Sequence, residues 1–232
     1  MSFDVTPYLD EWGLPGSIQK DGSIDGGDAC AILTNISYLT DEGFLYSIKD
    51  DAPVRHPYSK KWFGQTDRFS RDQLTPLQCA LLKMSKNNSE PALPLFKAHK
   101  KHWFLHAWNT RGNHSMDAPL QKPDVTGPLN WALWLRIFKP FGRHLILWAL
   151  DLQNTFSAIH WRFFRKDNVT RNHMLSVIAC YEHERTLISW LNFKLVDWDD
   201  LIERWRVHCA ITREPPTDIL FRDRIDLLRR TT

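Results

Sequence analysis

The chain has 232 residues, of which 43% are hydrophobic and 25% are charged, close to the average of globular proteins. These proportions exclude a wholly disordered chain and argue against a membrane protein. The net charge of +3 comes from 30 basic and 27 acidic residues, an excess too small to predict nucleic-acid binding. The length suits one large core, so residues 1–232 are interpreted as a single domain.

Three further features place the chain in a broad class. The four cysteines form no C-x-x-C pair, so they are interpreted as buried free thiols and not as a zinc or redox motif. Residues 1–4 lack the basic and apolar stretch of a secretory signal, which favours the cytoplasm. The most apolar segment, residues 144–164, includes Asp151 and Arg162. It is therefore predicted to be a core helix, with no membrane partner.

The amino-terminal third of the chain is predicted to be mostly loop. Residues 1–27 are rich in Gly, Asp, Ser and Pro and have little periodicity, which predicts an ordered coil. Asp28 suits the cap of a first helix over residues 29–39, where apolar side chains recur at helical spacing. Residues 40–69 keep no apolar period and predict a long ordered loop, a kind of segment that is often functional.

The next helix has two possible start signals. Ser70 is followed by Gln73 three residues later, and Thr75 is followed by Pro76 at the first helical position. The sequence alone leaves both starts open. With either start, apolar side chains of residues 77–84 face the core.

Helical periodicity and capping residues predict seven more helices, at residues 90–106, 128–138, 145–164, 170–183, 186–196, 198–210 and 218–228. No segment alternates with period two for long enough to build a sheet. The predicted fold class is all-α: antiparallel helix pairs in one domain, with an incomplete α/α-barrel-like array as one arrangement of them.

The first candidate site is the glycine-rich turn that ends in Asp25-Gly26-Gly27-Asp28. Its glycines permit backbone angles that other residues resist and let a ligand approach closely. An ordinary aspartate cap with turn glycines is the alternative. The spacing differs from that of a calcium-binding EF-hand loop.

The second candidate is Arg55-His56-Pro57, with Trp62 close behind it. Proline favours extended geometry at the preceding residue, and a histidine beside aromatic residues can move protons or bind a hydroxyl-rich ligand. An ordinary surface histidine is the alternative reading.

The third candidate is Arg71-Asp72-Gln73, at the amino end of a predicted helix, where free amide protons favour negative ligand groups. A carboxylate beside an arginine stays ionised, which suits a general base. A capping box with an Arg–Asp pair would explain the same residues.

Weaker candidates lie between later helices. Arg111, in Asn-Thr-Arg, and Asp124, in Lys-Pro-Asp, are polar residues that could line one common opening between apolar helices. Loop composition explains them equally well. The basic run at residues 99–102 is predicted to lie on a solvated face.

The ordered motifs at residues 25–28, 55–57, 70–76, 110–111 and 123–124 resemble a group of uncharacterised bacterial and phage proteins. More distantly, the chain is similar to the helical-hairpin barrels of glycoside hydrolases and lyases. In those barrels, short acidic motifs at helix ends face a central cleft. The resemblance implies a carbohydrate-like substrate, and this chain is shorter than a complete barrel.

The leading hypothesis is a hydrolase or lyase acting on a small polar or saccharide ligand. Asp28 would be the acid and Asp72 the base or electrostatic stabiliser, with His56 and Arg71 orienting the substrate. Asp25, Arg55, Trp62, Gln73, Arg111 and Asp124 are the predicted substrate-binding residues.

Two alternatives remain. One is a non-catalytic interaction protein, such as a phage- or secretion-associated factor. The other is a metal-dependent enzyme with an Asp/His site. The leading hypothesis requires neither metal nor cofactor, and the sequence predicts no oligomeric state.

Overall fold

In the computed structural model the described residues are 6, 17–18, 24–25, 48–49, 52–53, 71–85, 89–101, 105–108, 123–125, 127–164, 171–212 and 217–231. Most of them belong to eight α-helices. These are α1 (Arg71–Met84), α2 (Leu93–Lys101), α3 (Pro128–Phe138), α4 (Arg143–Phe164), α5 (Arg171–His183), α6 (Leu187–Leu195), α7 (Trp198–Thr212) and α8 (Asp218–Arg230). The prediction of an all-α fold is confirmed.

Within the described parts of the chain, three short antiparallel strand pairs accompany the helices. They are β1 (Ser17–Ile18) with β2 (Ile24–Asp25), β3 (Ile48–Lys49) with β4 (Ala52–Pro53), and β5 (Leu105–Trp108) with β6 (Pro123–Val125). Isolated two-stranded pairs of this length have little stability of their own. The β3–β4 pair lies against α2, and the strand pairs do not change the fold class.

The helices of the carboxyl-terminal half lie where periodicity predicts them. Helix α3 has its predicted bounds, and α4 to α8 begin and end within two residues of theirs. Helix α1 begins at Arg71, directly after Ser70, and contains Pro76, so the later of the two predicted starts is wrong. The helix predicted at 29–39 and most of the loops predicted at 1–27 and 40–69 lie outside the described residues.

Two predictions around α2 are wrong. The helix predicted over residues 90–106 is a 3₁₀ turn, Glu90–Ala92, followed by α2, which ends at Lys101. Residues 105–106 belong instead to β5, because their main chain pairs with a strand that begins nearly twenty residues later. His99 is only 1% exposed, although it was predicted to be solvated, because it packs beside Trp134 of α3.

The core is built around α1, α3 and α5, which all pack against one another. Leu81 of α1 and Leu133 of α3 are fully buried at the centre of this group. A buried polar contact locks α1 to α3: the Asn130 amide donates to Thr75 Oγ1 and Gln78 Oε1, both at 2.9 Å. Gln78 Nε2 donates back to the main-chain carbonyl of Asn130 at 3.0 Å. Such paired amides fix the register of two helices, because any sliding would leave buried polar groups unsatisfied.

Aromatic side chains join the later helices. Tyr181 of α5 stacks on Phe193 of α6 with ring centroids 4.6 Å apart, and Trp198 at the start of α7 lies 5.2 Å from the Phe193 ring. The Trp205 indole N–H donates to Thr217 Oγ1 at 2.7 Å, which ties α7 to the start of α8. These contacts connect α5 to α8 through α6 and α7.

A buried ion cluster joins α3, α4 and the end of α5. Arg136 is 0% exposed. Its Nη2 lies 2.6 Å from Asp151 Oδ2, and its Nε lies 3.6 Å from Glu184. Arg143 also lies 3.6 Å from Glu184. Burying these charges costs desolvation free energy, and the ion pairs offset that cost only while the partners stay together. The relative positions of the three helices therefore depend on one another.

Helix α4 differs from its prediction as a core helix. Its inner face is buried, but Leu145 is 77%, Trp148 56% and Phe156 63% exposed. No helix within the described ranges is both long enough and apolar enough to cross a bilayer.

Candidate functional site

A groove with a cavity volume of about 230 Å³ lies between α1, α5 and α8. Its floor is apolar and comes from the buried core, and its rim carries charged side chains. The lining residues are Lys83 of α1, Leu175, Ile178, Ala179 and Glu182 of α5, and Leu220, Phe221, Asp223, Arg224 and Leu227 of α8.

Helical periodicity explains why these residues share one groove. The four residues contributed by α5 have the spacing i, i+3, i+4, i+7, which places them on one face of the helix. On α8, Leu220, Asp223, Arg224 and Leu227 repeat the same spacing. Ala179 leaves room in the floor because its side chain is a single methyl group. The groove is therefore the space left where the lining faces of α5 and α8 do not pack fully against each other.

The rim is electrically balanced among the lining residues. Arg224 of α8 forms an ion pair with Glu182 of α5 across the groove. The hydrogen bond that Arg224 donates to Glu182 raises the pKa of Arg224, so the arginine stays charged. Lys83 and Asp223 add one further charge of each sign. A ligand bound there would meet both a cation and an anion at the rim.

Lys83 stands at the mouth of the groove and is exposed to solvent over more than a third of its surface. Its pKa is nevertheless lowered, first because surrounding protein desolvates the ammonium group, while the Glu182 carboxylate opposes the shift. An ammonium group that is partly stripped of water gains more than a fully hydrated one from an anionic ligand.

The thiols near the groove are not candidate nucleophiles. Cys79, Cys180 and Cys209 are free and buried, as predicted, and Cys30 lies outside the described residues. Burial raises the pKa of Cys180 to about 11 and raises that of Cys79 still further. Both therefore remain protonated near neutral pH, and the thiolate is the reactive form. The groove thus offers binding groups without an activated sulfur.

The structure places part of the third sequence motif. Arg71, Asp72 and Gln73 form the first turn of α1, at the amino end of the helix as expected. Their side chains lie outside the described parts. Because Lys83 is eleven residues further along the same helix, it lies roughly 16 Å away along the axis. The predicted motif and the groove are therefore at different ends of α1.

Two other predicted residues lie on strands. Asp25 is in β2, paired with Ser17, and Asp124 is in β6, next to the Trp108–Pro123 pair. The strand pairing brings residue 108 close to residue 123, and residues 109–111 lie outside the described residues. The side chains of Asp25 and Asp124 are not among those described.

The remaining predicted site residues, Asp28, Arg55, His56, Trp62 and Arg111, all lie outside the described residues. Among the residues that are described, no group of three or more His, Cys, Asp or Glu side chains could hold a metal ion.

The groove was not predicted from the sequence. Each contributing helix was predicted, and the i, i+3, i+4, i+7 pattern over residues 175–182 was a usable signal. Such a pattern normally indicates a face packed against a neighbour. Only the packing of α5 against α8 shows that the two faces leave space between them.

The chain matches no protein-family model, no curated protein and no solved structure.

Proposed function

We propose that this chain is a binding protein that takes up one small amphipathic molecule in the groove between α1, α5 and α8. The observation that carries the proposal is the combination of a buried apolar floor and a balanced charged rim around a cavity of about 230 Å³. Binding sites for small molecules are typically concave and mostly apolar, with a few polar groups that fix orientation.

The groove favours a particular kind of ligand. Ile178 and Phe221 present apolar surface in the floor, and Leu227 extends it towards solvent. An alkyl or aryl group against this surface would gain about 25 cal/mol for each Å² removed from water. An acidic head group would lie beside the cationic side chains of Lys83 and Arg224 at the rim. A short-chain carboxylate therefore fits better than a sugar, which has no apolar tail.

Octanoate and octanol are suitable probes, because they share a chain and differ in head-group charge. We expect octanoate to raise the unfolding midpoint of the protein and to bind more tightly than octanol, with the difference lost in Lys83→Gln. Ala179→Leu should weaken both probes by filling the floor. Ala210→Leu on α7 is the matched control, since Ala210 is exposed and lies outside the groove. Equal octanoate binding by the wild type, Lys83→Gln and Ala179→Leu would exclude the groove as the site.

A second candidate function is a hydrolase or lyase acting on a polar, carbohydrate-like substrate. Its support is the motif pattern, together with an α1 that begins at Arg71 and so has Asp72 in its first turn. The free amide groups of such a turn favour anionic groups. In this proposal Asp28 is the acid and Asp72 the base, with His56 and Arg71 orienting substrate.

The release of reducing or unsaturated sugar ends from a polysaccharide panel tests this second candidate. We expect Asp28→Asn and Asp72→Asn each to abolish release while the unfolding midpoint stays within a few degrees of wild type. If the panel yields no product with the wild-type protein, the candidate fails. Activity that disappears with a chelator and returns with Mg²⁺ or Mn²⁺ would instead support the metal-dependent alternative.

A further inference from the structure

Helix α4 has the reverse of the polarity expected for a surface helix. Among the α4 side chains that are described, the buried ones are one apolar residue, Leu147, and three polar ones, Asp151, Asn154 and Thr155. Asp151 is held there by Arg136 of α3. Because polar groups occupy much of this inner face, most of the described apolar side chains of α4 lie outside it.

The outside of α4 carries a continuous apolar stripe. Its members recur at i, i+3, i+7, i+11 and i+14, so they fall within an arc of about 100° on the helix surface. Three of them are more than half exposed and two are partly exposed. We call this set the outer stripe: Leu145, Trp148, Leu152, Phe156 and Ile159. It contains no charged residue.

The apolar surface extends beyond the outer stripe at its amino end. Phe141, in the turn that leads into α4, is fully exposed, and Ile146 on the flank is 54% exposed. Taking 150–250 Å² for a whole aromatic side chain, Phe141, Trp148 and Phe156 alone expose roughly 350–550 Å². A monomeric protein rarely exposes a larger apolar patch than this, and patches of this size commonly mark interfaces.

We propose that the outer stripe is the interface of a homodimer in which two α4 helices pack antiparallel about a two-fold axis at Leu152. The spacing of the stripe is symmetric about that residue. An antiparallel pair centred there places Leu145 opposite Ile159 and Trp148 opposite Phe156, and Leu152 meets its own copy. Each large aromatic side chain thereby faces another across the axis, an arrangement that aromatic pairs favour. The surface is self-complementary, as a two-fold interface requires.

The available area agrees with a second copy of this chain as the occupant. With the aliphatic members of the outer stripe and Ile146 included, each copy offers on the order of 600–800 Å² of apolar surface. A standard stable interface buries about 800 Å² on each partner. Because the stripe carries no charge, it offers neither a nucleic acid nor an anionic surface a complementary group.

The mass of the intact protein in solution tests the proposal. Light scattering at micromolar concentration should give twice the 27.3 kDa of one chain. Leu145→Glu and Phe156→Glu should each weaken dimerisation on the order of 100-fold, because they bury an unpaired carboxylate. Ile211→Glu on α7 is the matched control, since Ile211 and Leu145 are both 77% exposed. A monomeric wild type, or a dimer that survives both stripe variants, would overturn the proposal.

Cysteine cross-linking tests the antiparallel geometry separately. Leu152→Cys should form a disulfide-linked dimer under mild oxidation, because the axis brings the two copies of residue 152 together. Leu145→Cys should not link to its own copy, which lies roughly 21 Å away along the helix pair. Wild-type protein oxidised in parallel shows the contribution of the native thiols. Efficient linking through residue 145 and not through residue 152 would contradict the antiparallel arrangement.

Discussion

Replacing Asp151 by asparagine removes the carboxylate that accepts a 2.6 Å hydrogen bond from Arg136 Nη2. Among the described carboxylates, the guanidinium, which is 0% exposed, keeps that of Glu184, 3.6 Å from its Nε and shared with Arg143. Removing one partner of a buried ion pair typically costs 3–5 kcal/mol, because the other charge stays buried without compensation. We therefore expect Asp151→Asn to lower the free energy of unfolding by about 3–5 kcal/mol.

Urea and thermal denaturation measure this loss directly. At 2–4 °C for each kcal/mol in a chain of this size, the midpoint should fall by roughly 6–20 °C. The double variant Arg136→Met/Asp151→Leu should recover most of the loss, since it leaves no unpaired charge. Glu203→Gln, which breaks an exposed ion pair with Arg206 on α7, should leave the midpoint unchanged. A loss below about 1 kcal/mol for Asp151→Asn would show that the cluster is hydrated and that the argument from burial is wrong.

Asn130→Ala should lower the free energy of unfolding by about 1–3 kcal/mol, because the buried Gln78 Oε1 loses the amide that donates to it from α3; urea titration measures the change, and an unchanged midpoint would contradict it. Thr217→Val should cost a similar amount, about 1–3 kcal/mol, since the buried Trp205 N–H loses the Thr217 Oγ1 acceptor at 2.7 Å. Tryptophan fluorescence during thermal unfolding follows this change, and Thr217→Ser, which keeps the hydroxyl, should remain close to wild type. Burial lowers the pKa of His183 from its ordinary 6.5, so the unfolded chain binds that proton more readily than the folded one. The stability contributed by neutral His183 is complete above pH 6.5 and is lost as the pH falls below that value. Urea midpoints measured across this range should fall less steeply for His183→Gln, and identical slopes would refute the assignment.

Much of the helical framework follows from local signals. Helix α3 begins at Pro128. Proline suits this first position because an amide N–H there would have no partner within the helix. The helix ends at Phe138, before Lys139 and Pro140. Helix α7 begins after Asp197, whose side chain accepts from the Asp200 N–H at 3.3 Å, as its cap pattern predicts. Such signals act within a few residues of the helix end, so they can be recognised in the sequence without knowledge of the tertiary structure.

The candidate groove could not be predicted in the same way. The face of α5 that carries Ile178 and Glu182 looks in the sequence like any core-facing stripe. The space above it depends on Ala179 being small and on where α8 places Leu227 and Arg224. Residues 179 and 224 are more than forty positions apart, so no local pattern relates them.

Local patterns also assigned α4 to the core, and they did so for a physical reason. Hydrophobic content indicates that a helix is buried but not which of its faces is covered. The buried charge of Arg136 draws Asp151 inward, and the period of the helix then carries Leu145 and Phe156 to the outside.

Sequence alone determined the helical class, the bounds of α3 to α8 and the burial of the free thiols, because spacing, caps and side-chain chemistry act locally. Tertiary structure decided the pairing of β5 with β6, the burial of His99, the groove between α5 and α8, and the exposed face of α4. Each of these depends on contacts between residues that are distant in the chain, and such contacts exist only once the helices have packed.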